Sequence, residues 1–423
     1  MLIQFSFKNF RSFRDDAILD LSATKMTEYK SHIITVGLEK LLPTAAIFGA
    51  NAGGKSNVYL AFRYMCTYVC SSFAFGGDSL INDEKSQFPK PTPFLFDNNS
   101  KDAESVFEVY FIGDEQDKFK TYNYGFSVDV NGVKEEWLNT KAKSSRGEFK
   151  SVFYRNRDED ILELCRLPKN CHDNIETALE KEVLIVSLGA KLKIDELKCV
   201  RDWFMKHEVV NYGNPVENLV LSRFIPKGFA DDPAVRAQVV DFISTFDESI
   251  VGFQVNKYKD DEGRRQMNIN ALHKINGSDE LVSIPLREES AGTLKMFSLY
   301  PRLMKIMETG GVFFIDELNS RLHPLLVRNF ILCFLNPEMN KSHAQLIFTS
   351  HDTWALENDL LRRDEIWFVE KEDTGASQLY SLADFNDANG IKIRKDENYE
   401  KNYMLGKYGA IPALKPMINK KEN

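Results

Sequence analysis

The stretch Gly49-Ala50-Asn51-Ala52-Gly53-Gly54-Lys55-Ser56 matches the phosphate-loop pattern G-x-x-x-x-G-K-[ST] without a mismatch. The run Ala45-Ala46-Ile47-Phe48 before it reads as a short buried strand, and the residues after Ser56 read as a helix. The loop therefore sits in the strand–loop–helix setting that the pattern requires. Gly49, Gly53 and Gly54 can take backbone angles that turn successive N–H groups toward phosphate oxygens, at the positive end of the helix starting near Gly54. Lys55 would reach the β- and γ-phosphates, and Ser56 would place its hydroxyl on Mg²⁺. Asn51 and Asn57, inside and directly behind the loop, count with it as nucleotide-binding positions.

The 423 residues are enough for two or three lobes around a sizeable core, and 43% hydrophobic content is that of a globular chain. A net charge of −8 gives no bulk attraction to nucleic acid or acidic lipid, so any DNA contact must be a local patch. The six cysteines form no C-x-x-C pair and have no histidine spacing suggestive of zinc. The amino terminus, Met1 to Phe7, lacks the pattern of a signal peptide, and the longest apolar stretch, Val58 to Phe75, is interrupted by Arg63. These features read as a reduced, cytosolic protein with no membrane span.

Leu2 to Phe7 alternates as a strand does, and Asn9-Phe10-Arg11-Ser12-Phe13 then turns the chain. Arg11 either faces the nucleotide or is a solvated turn arginine. Residues 76–100 read as loop. Gln87 within it is either a glutamine that touches Mg²⁺ and the attacking water or an ordinary polar loop residue. From Ser105 to Leu138 the period is near two, which predicts an antiparallel lobe. Residues 171–208 and 230–250 show helical spacing, and Lys257 to Arg265 reads as an exposed hairpin or loop, or as a phosphate-contacting patch.

Gly311-Val312-Phe313-Phe314-Ile315-Asp316-Glu317 is an apolar run that ends in two carboxylates. A strand buried on both faces has no reason to end this way unless the end is used. Asp316 fits the carboxylate that holds Mg²⁺ through water, and Glu317 the base that activates the attacking water. Gln345 to Thr349 is the next strand, followed by Ser350-His351, and a histidine there can bond the γ-phosphate or the water. Ser290 and Gly292, at the start of a helical segment, make a second anion-binding end. It is redundant within one subunit, and makes sense if it closes over the γ-phosphate of a neighbouring one.

The order of these four motifs resembles the ATPase head shared by ABC transporters, SMC proteins and RecF-like proteins, and Asn9 to Phe13 is similar to the opening of the RecF and SMC side of that group. Four segments, Gly49–Asn57, Asp316–Pro324, Asp364–Lys371 and Gly406–Pro412, more narrowly resemble the AAA-type ATPases of abortive-infection loci, the RloA and AbiL group, with the PARIS ATPase AriA and OLD proteins as cousins. The resemblance implies an α/β fold: an ABC/SMC-like P-loop ATPase head built from residues 1–80 and 281–423, an antiparallel β lobe over 81–170 and a helical insertion over 171–280. It implies slow ATP hydrolysis with Mg²⁺ in a homodimer or higher homo-oligomer, with each ATP between Lys55 of one subunit and Ser290 of the other. The role implied is that of a sensor or regulator in defence against phage, controlling a separate effector such as a Toprim nuclease. The alternative is a RecF-like DNA-repair ATPase, with DNA as partner. Pro301 predicts a break in the helix that follows Ser290.

Overall fold

The computed structural model describes residues 1–75, 89–113, 119–142, 147–221, 224–259, 263–386, 390 and 392–412. Among these residues a six-stranded sheet runs in the order Glu208–Asn211, Val312–Asp316, Gln345–Thr349, Thr44–Gly49, Ile366–Lys371 and Ser377–Ser381. The first five strands are parallel and the last is antiparallel. Parallel strands need cover on both faces, and the apolar runs read from the sequence provide for it by alternation. Ala45, Ile47, Val312, Phe314 and Ile347 face one core, which they share with the phosphate-loop helix Lys55–Ser71. Ala46, Phe48, Phe313, Ile315, Leu346 and Phe348 face the other, with the helices Ala291–Thr309 and Pro324–Leu335. Both carboxylates after Ile315, the phosphate loop and His351 therefore meet at one edge, the carboxyl ends of adjacent parallel strands.

A seven-stranded antiparallel sheet covers the first core, in the order Ile161–Glu163, Lys150–Asn156, Gly132–Lys141, Thr121–Asp129, Ser105–Ile112, Leu2–Lys8 and Ala17–Asp20. The expected antiparallel lobe thus takes its last two strands from the amino-terminal segment that was assigned to the head. Phe5 meets Phe62 of the phosphate-loop helix edge-on at 5.2 Å, and Tyr64 stacks on Phe107 at 5.0 Å, so sheet and helix share one aromatic core.

Residues 171–280, expected as a helical insertion, hold more than helices. Helices Ile185–Lys191 and Asp195–Met205 pack into the first core. Glu208–Asn211, however, pairs in parallel with Val312–Asp316 as the edge of the central sheet. The helix Pro233–Ser244 packs on a three-stranded antiparallel sheet of Ile250–Lys259, Arg265–Lys274 and Leu281–Pro285. These share a third core with Phe297 and Tyr300. Lys257 sits in the first of those strands and pairs with Asp231. The helix expected to break at Pro301 runs unbroken from Ala291 to Thr309. Proline removes one N–H and costs about 3 kcal/mol in a helix interior, but this helix is gripped on both sides. Leu299 and Leu303 lie in the second core and Phe297 and Tyr300 in the third.

Candidate functional site

The phosphate loop is shaped by contacts behind it. Gly49 has φ +152°, and a Cβ there would lie 2.3 Å from the carbonyl oxygen of Val369 on the adjacent strand. Gly54, at φ +121°, would drive a Cβ to 2.6 Å from Ser377 Oγ and 2.9 Å from Ser12 Oγ. No other residue fits either place. The hydroxyls that crowd Gly54 hold the loop. Ser377 Oγ donates to the Gly53 carbonyl at 2.6 Å, Ser377 N–H donates to Ser12 O at 2.7 Å, and Asn57 Nδ2 donates to Ser12 Oγ at 2.7 Å.

Lys55 opens the helix with only 5% of its surface exposed. Its Nζ donates to Gly49 O at 2.8 Å, Ala50 O at 3.1 Å and His351 Nδ1 at 3.2 Å. Burial pulls its pKa down to about 8 against the opposing pull of Glu317 and Asp316. Since the ammonium has only protons to give, Nδ1 of His351 accepts and Nε2 carries the ring hydrogen, which faces Glu317 Oε1 at 2.7 Å. The imidazole thus links the lysine of the loop to the carboxylate after the Val312–Asp316 strand.

Asp316 is buried and fully bonded. Its Oδ1 accepts from Thr349 Oγ at 2.6 Å and Ser56 Oγ at 3.2 Å, and its Oδ2 accepts from Asn211 Nδ2 at 2.8 Å. Burial raises its pKa despite the hydroxyls of Thr349 and Ser56. Glu317 turns away from the strand with φ +59°, a conformation that non-glycine residues rarely take. Its N–H is caught by Thr349 Oγ at 2.9 Å, and its side chain passes so close to Gly213 that a Cβ there would lie 2.8 Å from Glu317 Cγ. One threonine hydroxyl therefore fixes both carboxylate residues.

A cleft of about 270 Å³ opens over this arrangement, lined by Ala50 to Ala52, Gly54 to Asn57, Glu317 and His351. The donor set fits a nucleoside triphosphate with Mg²⁺. Ser56 Oγ and Asp316 Oδ1 stand 3.2 Å apart and are both hard oxygen donors, as that ion requires. Exposed backbone and an ammonium complete the phosphate cradle.

The remaining expected positions lie elsewhere. Arg11 is exposed, its guanidinium 5.7 Å from the centre of the Phe10 ring, and it does not line the cleft; the next residue, Ser12, supports the loop. Gln87 lies outside the described residues. Ser290 caps the helix Ala291–Thr309, its Oγ accepting from Thr293 N–H at 3.1 Å. Gly292 packs against the carbonyl of Arg321, which a Cβ would approach to 3.2 Å. Neither Ser290 nor Gly292 lines the cleft that holds Lys55. Sequence reasoning missed Ser12, Ser377, Asn211 and Thr349. Only Thr349 carried a signal, as a hydroxyl closing an otherwise apolar run after Leu346.

Residues 45–178 and 222–357 match the model of a family described as "AAA domain, putative AbiEii toxin, Type IV TA system", together more than half of the chain. No curated protein matches. Among solved structures the chain is similar to an SMC head bound to the C-winged helix domain of ScpA, with TM-score 0.43 and 13% identity over 90% of this chain and 97% of that one. The SMC head domain from Thermotoga maritima gives TM-score 0.41 and 16% identity, over 90% and 98%. An SMC head domain with an extended coiled coil, bound to the C-terminal domain of ScpA from Pyrococcus furiosus, gives 0.41 and 14%, over 90% and 96%. Among the described residues no helix is long and apolar enough to cross a membrane.

Proposed function

Because the chain belongs to this AAA-domain family of AbiEii type, we propose that it is an ATP-hydrolysing regulator of bacterial defence against phage, acting in the cytoplasm through the pairing of two heads. The observation that carries the reading is the single bonded path from Lys55 through His351 to Glu317 at the rim of the phosphate cleft, with Asp316 and Ser56 beneath it. Lys55 and the loop N–H groups hold the β- and γ-phosphates. Ser56 and Asp316 would hold Mg²⁺, which when bound neutralises phosphate charge and orients the γ-phosphate. Glu317 takes the proton of the attacking water, and His351 Nε2–H keeps the carboxylate turned toward it.

In the paired form Ser290 and Gly292 of one copy close over the γ-phosphate held by Lys55 of the other. The exposure of Ser290 and the place of both residues away from the chain's own cleft support this arrangement. Hydrolysis is then slow until pairing or a trigger completes the site. Its output is the holding or release of a separate effector, of which a Toprim nuclease is the candidate drawn from the resemblance.

The test is phage plating efficiency on cells that carry the gene with its native neighbours, against the same locus bearing Lys55→Ala. Protection abolished by the substitution is the expected result. Equal plating across a broad phage panel would overturn the defence role. A strong, salt-sensitive affinity of the purified chain for DNA ends or gaps would then move a RecF-like repair role to the front.

A further inference from the structure

Five residues beyond Ser290, about one and a half turns into the same helix, stands a lysine where lysine is costly. Lys295 is 5% exposed, and among the described residues no carboxylate forms an ion pair with it. Its Nζ instead donates to the main-chain oxygens of Leu318 at 2.6 Å and Ser320 at 2.8 Å, with that of Glu317 at 3.4 Å. The face of the Tyr212 ring lies 4.3 Å away. Burial draws its pKa down to about 7, with Glu317 opposing and Arg321 adding to the fall. A methionine of similar length would fill the same space without carrying a charge out of water. What the ammonium adds is a grip on three carbonyls of the segment that carries Glu317.

That segment needs holding. Glu317 and Arg321 both have left-handed backbones, at φ +59° and +62°, which persist only where the surroundings over-determine them. Thr349 restrains Glu317 from its N–H, and Gly213 leaves room for its side chain on one flank. Lys295 supplies the restraint from the carbonyl side, and it comes from the helix whose first turn is Ser290 to Thr293.

We propose that Lys295 is a positioning residue that ties the Ser290–Gly292 helix end to the backbone of Glu317, so that engagement of Ser290 by a neighbouring copy's nucleotide sets the hydrolytic geometry of its own site. The coupling half of this statement rests on the paired-head reading above. The positioning half concerns one chain. Two sites that are otherwise separated by a helix thereby act together, each copy's catalytic carboxylate reporting on the phosphate bound by its partner.

The experiment compares the full-length chain with Lys295→Met and Lys295→Arg. It measures kcat and KM for ATP with Mg²⁺, affinity for a fluorescent ATP analogue, melting temperature, and hydrogen–deuterium exchange over residues 317–321. The methionine variant is expected to lose at least about tenfold in kcat, as when a catalytic group is misplaced. KM, analogue affinity and melting temperature should stay close to wild type, and exchange over 317–321 should quicken. Arginine, which can still reach the carbonyls, should restore part of kcat. Unchanged exchange over 317–321 in the methionine variant would overturn the positioning role whether or not the wild type hydrolyses ATP. A parallel fall of affinity, kcat and melting temperature in both variants would reduce Lys295 to packing. If the methionine variant loses kcat while the wild-type rate per chain is independent of protein concentration, the positioning half stands and the coupling between copies is overturned. An inert wild type with quickened exchange in the variant would instead count against the ATPase reading alone.

Discussion

Two edges of the molecular surface, the one that carries the phosphate loop and the one formed by the helix end at Ser290, are furnished in opposite ways. At the first, polar groups are bonded within the chain: Lys55 to three acceptors, Asp316 to three donors, Glu317 to His351. At the second, Ser290 and Arg321 are exposed, and the Arg321 side chain has no hydrogen-bond or ion-pair partner among the described residues. A cleft of about 220 Å³ beside them is lined by Lys295 and Arg321 but by no carboxylate. The first edge is preorganised by internal bonds, so its geometry is in place before a ligand arrives. The second presents the guanidinium of Arg321 and a helix amino end whose Thr293 hydroxyl reaches Asp247 Oδ2 at 3.3 Å, while Arg321 itself meets no carboxylate among the described residues. On the paired-head proposal, the contrast is that of a site and the half of a site.

The largest test of this contrast is Glu317→Gln. The amide keeps the shape of the carboxylate but cannot take a proton, so turnover should fall about 10²–10⁴-fold while nucleotide is still bound. The nucleotide is then retained where the Ser290 edge of a second copy can close on it. The mass in ATP and Mg²⁺, measured by sedimentation, should double. A mass unchanged by ATP would leave the Ser290 edge in need of some acceptor other than a second copy's phosphate.

A smaller effect is expected where one hydroxyl serves two carboxylate residues. Thr349→Val keeps the side-chain shape but leaves Asp316 Oδ1 without its 2.6 Å donor and Glu317 N–H without its acceptor. Leaving such a buried group unpaired costs about 1–3 kcal/mol, to be read as a lower unfolding midpoint in denaturant. Turnover should fall less than in Glu317→Gln, because the base is displaced and not removed. An unchanged midpoint would mean that the first edge is less tightly bonded than its distances indicate, and the contrast would weaken from that side.

What could be read in the sequence divides along the same line. Asp316, Glu317 and His351 announced themselves because charged or titratable residues beyond a continuous apolar run are anomalous in a buried strand. Asn211 was hidden. It closes a four-residue strand that begins where a region of helical spacing ends, and its carboxylate partner lies 105 positions away. Of the strands in residues 250–285 only the hairpin end over Lys257 to Arg265 was legible, because two of the three strands are largely exposed, which leaves little hydrophobic period to count. The turn after Leu2–Lys8 was legible, but not its handedness. With positive φ at Asn9 and Arg11, the chain turns Ser12 toward the loop and leaves Arg11 outside. Lys295 could not be found by motif at all, since its acceptors are main-chain oxygens, which no residue type marks.

The finest probe of the first edge is its titration. Burial, the dominant influence on Lys55, lowers its pKa to about 8, so above that pH the free chain loses the charge that attracts phosphate. The protonated form is the one that binds, and kcat/KM should therefore fall as pH rises through 8, approaching tenfold per unit. Bound phosphates stabilise the ammonium and raise its pKa in the complex, so kcat should stay level over the same range. Initial rates from about pH 6.5 to 9.5 at saturating Mg²⁺ separate the two terms. A parallel fall in kcat would place the titration in the bound state, on a group other than Lys55. A kcat/KM that stays flat to the top of the range would show that Gly49 O, Ala50 O and His351 Nδ1 together outweigh desolvation and hold the ammonium charged. In that case the loop is bonded more strongly within the chain than burial alone implies, and the distance between the two edges grows.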